Sequence, residues 1–88
     1  MEDRDKRIDE LIDSLRKCFD GDGEFAAHPS DENKAAQAYT TAVGGLGFKS
    51  EHFIDLLIGQ AKTMYTDKRV ISKAEQSIRD FVNRQLAE

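Results

Sequence analysis

Residues 3–19, DRDKRIDELIDSLRKCF, decide the fold class. Ile8, Leu11, Ile12, Leu15, Cys18 and Phe19 recur at the i, i+3, i+4, i+7 spacing of one helical face, while Asp9, Glu10, Asp13, Arg16 and Lys17 fill the other. A half-buried strand needs apolar residues at every second position, and no stretch of the chain has that pattern. The spacing predicts a first helix over residues 3–19, stopping at Asp20-Gly21, where a glycine can take the left-handed conformation that closes a helix.

Beyond that helix, residues 20–30 (DGDGEFAAHPS) hold two glycines and the only proline and read as a loop, with Phe25 tucked back onto the core. Ser30 has the chemistry of an N-cap, followed by Asp31 and Glu32 in a first turn where the helix dipole favours negative charge. A second helix over residues 31–43 would turn Ala35, Ala38, Tyr39, Ala42 and Val43 inward, its alanines implying close approach by a neighbour. Gly44, Gly45 and Gly47 end it, with Leu46 and Phe48 pinning the turn to the core.

Ser50 caps a third helix over residues 51–65, whose apolar residues Phe53, Ile54, Leu56, Leu57, Ile58, Ala61, Met64 and Tyr65 cover more than one face. Gly59, in its middle, suggests a tight helix crossing. Residues 66–71 read as a polar connection, and Ser72-Lys73-Ala74-Glu75 has the spacing of a capping box. It opens a fourth helix over residues 73–86 with Ala74, Ile78, Phe81, Val82 and Leu86 on one stripe. These segments predict an all-α, small four-helix bundle-like domain with short loops, a single domain across residues 1–88.

The 88 residues carry a net charge of −4, but unevenly. Residues 1–44 hold 11 acidic and 6 basic side chains, whereas residues 45–88 hold 6 and 7. That balance argues against direct contact with nucleic acid, which requires a basic footprint. Cys18 stands alone on an apolar stripe, so no internal disulfide is available and a reducing cytoplasm is the expected setting. Neither a charged leader with an apolar segment nor an apolar run of about 20 residues is present, so no export signal or membrane span is expected.

The residues that bear chemistry form no catalytic set. Cys18, His28 and His52 have no zinc spacing and no orienting third group, Cys18 reads as buried, and both histidines read as surface residues. Asp13-Ser14-Leu15 matches the tripeptide around the carrier serine of acyl carrier proteins, but Ser14 lies inside the first helix rather than at the start of the second. Residues 20–31 resemble an EF-hand loop in length and in Asp20, Asp22 and Glu24 at its first, third and fifth positions. Phe25 stands where that family needs glycine, and Asp31 where it uses a bidentate glutamate.

The leading expectation is therefore a protein-binding module that works without catalysis, cofactor or metal: an inhibitor, immunity or anti-defence protein of phage or mobile-element type. Asp20, Asp22, Glu24, Asp31 and Glu32 would cover a basic surface of a target protein. One alternative is a small dimeric regulator contacting nucleic acid, with Lys49, Ser50, Glu51 and His52 following a Gly47 turn. Another is a calcium-binding helix pair built on the 20–31 loop. The basic residues Lys68, Arg69, Lys73, Arg79 and Arg84 suggest a possible homodimer through the acidic half of a second copy.

Overall fold

The apolar periodicities resolve into four helices: α1 (Glu2–Arg16), α2 (Pro29–Thr40), α3 (Ser50–Met64) and α4 (Lys68–Ala87). The computed structural model describes residues 2–87; Met1 and Glu88, the ends of the expected domain, lie outside the described residues. No strand occurs among the described residues, and the β-type pairing is a single isolated antiparallel bridge between Phe19 and Phe25. The fold is all-α and bundle-like, as the periodicity predicts.

Leu15, Phe53, Leu57, Ile78, Phe81 and Val82 are fully buried and bring α1, α3 and α4 to one core. The closest pairing is α3 with α4, while α1 lies against α2 and α3. Ala35 and Ala38 are buried along α2 and Ala42 just beyond it, and their small side chains let this segment approach α1 closely. Leu86 departs from the expected stripe: at 63% exposure it lies outside the core.

The helix ends depart more from the sequence pattern than the helices do. α1 stops at Arg16, because Cys18 N–H donates to the Leu15 carbonyl (3.0 Å) and Phe19 N–H to that of Arg16 (3.4 Å), tightening the last turn. Phe19 is then taken by its pairing with Phe25, and the left-handed glycine of this region is Gly23 rather than Gly21. α2 starts at Pro29, whose missing N–H costs nothing in the first turn, so Ser30 lies inside the helix and His28 holds the cap position without a side-chain bond.

At its other end α2 does not stop at Val43 but widens into a π turn over Thr41–Gly45. Leu46 N–H donates to the Thr41 carbonyl and Phe48 N–H to that of Ala42, both at 2.9 Å. Gly47, with φ of +76°, makes the reversal that lets Phe48 turn back into the core. Ser50 is the first residue of α3 rather than its cap, and its hydroxyl shares a 2.8 Å hydrogen bond with that of Tyr39.

The start of α4 corrects the expected capping box. Asp67 caps the helix: its carboxylate accepts the Arg69 N–H (2.8 Å) and its carbonyl accepts that of Ile71 (3.0 Å). Residues 68–71 are thus helical, which half-buries Val70 and Ile71. Ser72 becomes an exposed interior residue, and Glu75 pairs with Arg79 at 3.5 Å instead of reaching back. Gly59 marks no crossing either, since a Cβ there would meet nothing within 4 Å.

These assignments predict distinct stabilities in chemical denaturation. Asp67→Ala lowers the unfolding free energy by about 1 kcal/mol, the usual loss for a cap. Ser72→Ala changes it by less than about 0.5 kcal/mol, as at an uninvolved surface site. Gly59→Ala raises it by roughly 1 kcal/mol, because alanine removes the helix penalty without a clash. A loss at Ser72 larger than at Asp67 would restore the capping box.

Candidate functional site

The segment between α1 and α2 is a hairpin, built from the residues expected to form an open acidic loop. Asp20 N–H donates to the Glu24 carbonyl (3.0 Å), and Ala26 N–H to that of Cys18 (2.9 Å). Inside the turn the Asp20 carboxylate accepts the backbone N–H groups of Asp22 (2.9 Å) and Glu24 (3.0 Å). Aspartate is suited to this role because its short side chain reaches the main chain two residues on.

Phe25 anchors the hairpin at 2% exposure. Burying its peptide would strand two polar groups, and Ser77 of α4 meets both. The Ser77 hydroxyl oxygen accepts the Phe25 N–H at 2.8 Å, and the hydroxyl donates to the Phe25 carbonyl at 3.3 Å. The Phe25 ring lies 4.9 Å from that of Phe19 and 5.2 Å from that of Phe81, in tilted and edge-on contacts. At the tip, Gly23 has φ of +90°, and a Cβ there would come within 2.7 Å of the Val70 carbonyl oxygen. Glycine is required at that position both by conformation and by space.

Ala26 adopts φ of 56°, a left-handed conformation that costs an L-residue roughly 1–2 kcal/mol. The burial of Phe25 and of Ala26 itself offsets the strain. Tyr65, following α3, donates its hydroxyl to the Asp20 carbonyl. Burial raises the Tyr65 pKa above the usual tyrosine value, and the carboxylates of Asp20 and Asp22 add to the rise.

The five expected partner-binding carboxylates therefore have different situations. Asp20 is spent on the hairpin itself. Asp22 and Glu24 are exposed, and neither side chain accepts a hydrogen bond or ion pair among the described residues. Asp31 stands in the first turn of α2, where its carbonyl accepts the Cys18 thiol at 3.6 Å. Glu32 pairs with Arg84 of α4 at 3.8 Å, and the Arg84 guanidinium also lies 6.0 Å from the Phe81 ring centre. Glu24 and Glu32 share a concavity, a cleft of about 410 Å³ between hairpin and α4 that also holds Lys73, Asp80 and Arg84.

The EF-hand likeness does not extend to geometry. The Asp20 carboxylate is turned into the hairpin, and no group of three or more His, Cys, Asp or Glu suited to a metal occurs among the described residues. Cys18 is buried, with its thiol lifted in pKa chiefly by desolvation, the Asp31 carboxylate adding to the rise and Lys34 opposing it. His28 and His52 are exposed, and the His52 ring stacks on Phe48 at 4.6 Å. Sequence reasoning missed Ser77, Val70 and Tyr65, which fasten the hairpin from far along the chain and leave no local signal. No family model, curated protein or solved structure matches the chain.

The environment of Tyr65 sets a pH dependence. A raised folded-state pKa means that stability from the neutral phenol is present below the unfolded value of about 10 and lost as pH rises through the folded one. In the Tyr39→Phe variant Tyr65 is the only tyrosine, so tyrosinate absorbance should develop above the ordinary tyrosine range and coincide with loosening of the hairpin. Ionisation at an ordinary pKa would contradict the Asp20 contact.

Proposed function

We propose that the protein is a small acidic protein-binding module of the cytoplasm that acts by covering a basic surface of a target protein, without catalysis. The kind of role it fits is that of an inhibitor, immunity or anti-defence protein of phage or mobile-element type. The observation that supports this reading is the hairpin. Asp22 and Glu24 stand exposed on a turn whose backbone is tied at Asp20, Phe25 and Gly23. Carboxylates held on an ordered backbone lose little conformational entropy on binding and steer a cationic partner at long range.

The reading narrows the contact to Asp22 and Glu24, with Glu32 and Asp31 flanking and Asp20 retained for the turn. No helix among the described residues is long and apolar enough to cross a bilayer.

Affinity capture from the native host, followed by mass spectrometry, tests the proposal. The Asp22→Lys/Glu24→Lys variant should lose the captured target while keeping its helical circular dichroism. Raising salt should weaken capture by the unaltered chain, because exposed charges are screened beyond about 8 Å at physiological ionic strength. Capture undiminished by the double reversal would overturn the hairpin as contact surface, and salt-sensitive retention on DNA instead of a protein would replace the target class.

A further inference from the structure

The seam between α1 and α2 runs against the charge of the chain. It opens into a cleft of about 400 Å³ lined on one side by Ser14 and Lys17 and on the other by Lys34, Gln37 and Thr41, over a floor of Leu11 and Ala38. No carboxylate among the described residues lines it, although the chain carries 17 acidic against 13 basic residues. The seam continues past Thr41 to a second opening bordered by Arg7 and Glu10. Lys17 and Lys34 are exposed and make no ion pair among the described residues. By contrast, two of the five basic residues of α4 are engaged, Arg79 with Glu75 and Arg84 with Glu32.

We infer that this cleft receives the Asp22–Glu24 hairpin of a second copy of the chain. The cleft adjoins the base of the hairpin, while Glu24 near its tip faces α4. Lys17 immediately precedes the hairpin, and Cys18, at its base, contacts the carbonyls of Ser14 on the cleft wall and Asp31 one turn before Lys34. The match is one of charge: in a two-fold dimer each acidic hairpin would enter the other copy's basic cleft, so that two equivalent contacts form at once. Lysines in the cleft and exposed carboxylates on the hairpin give attraction without burying an unpaired charge. Under the proposed function, self-association and target capture compete for the same carboxylates; that competition rests on the proposed reading, whereas the dimer does not.

The test is a charge swap on the purified full chain, read by sedimentation equilibrium from about 10 µM to about 1 mM, the range where weak association shows. The unaltered chain should move from 9.9 kDa toward twice that mass and fall back as salt is raised. Lys17→Glu/Lys34→Glu and Asp22→Lys/Glu24→Lys should each raise the dissociation constant at least about tenfold. An equimolar mixture of the two variants should regain association, because each reversed hairpin then meets a reversed cleft. Lys17→Gln/Lys34→Gln, which adds no repulsion, should fall between. A chain monomeric throughout, a dimer indifferent to both reversals, or two monomeric variants that do not associate on mixing would each overturn the inference. None of these readouts involves the target protein, so they fail independently of the capture experiment.

Discussion

The burial of Phe25 is the constraint on which the rest depends. A non-helical residue between two helices places its ring in the core, and its peptide must follow. The ring completes a series of tilted and edge-to-face contacts: Phe19 and Phe25, Phe25 and Phe81, Phe81 and Tyr39, Tyr39 and Phe53, with centroid separations of 4.9 to 6.5 Å. That series ties the hairpin, α4, α2 and α3 into one apolar interior. Ser77 makes the arrangement affordable by matching both polar groups of the Phe25 peptide, since each left unmatched would cost about 1–3 kcal/mol.

Once Phe25 is fixed, the hairpin has little freedom. The Phe19 pairing, the Asp20 turn, the contact of Gly23 with Val70 and the Tyr65 hydroxyl all act on the few residues around it. Of the hairpin's three carboxylates, Asp22 and Glu24 are the two that accept no hydrogen bond or ion pair among the described residues. Within this segment the placement of charge thus follows from packing: the hairpin's internal bonds take Asp20 and leave Asp22 and Glu24 facing outward.

How much of this was legible in the sequence follows from the range of each interaction. The helix bodies were, because periodic burial is a local pattern, and the inward faces of Ala35, Ala38, Phe53, Ile54, Leu57 and Phe81 are buried as read. The ends were not. Ser30, Ser50 and Ser72 all resemble caps, yet Pro29, the Tyr39 hydroxyl and Asp67 decide those ends. Gly59 looked like a crossing point because a helical glycine has no local explanation, and the structure leaves it facing open space. Of the site, the acidic residues and the return of Phe25 to the core were readable. Their sorting into turn-forming, paired and free carboxylates was not, because it depends on Ser77, Val70, Tyr65 and Arg84, more than forty residues further along in each case.

The most direct measurement of the central claim is residue-resolved amide hydrogen exchange on the intact chain under native conditions. If the Phe25 peptide is held by Ser77 inside the core, its amide, together with that of Ala26 bonded to Cys18, should exchange as slowly as the core amides of α3 and α4 and open only with them. Exchange of Phe25 and Ala26 at the rate of exposed loop amides, with α3 and α4 still protected, would contradict the account.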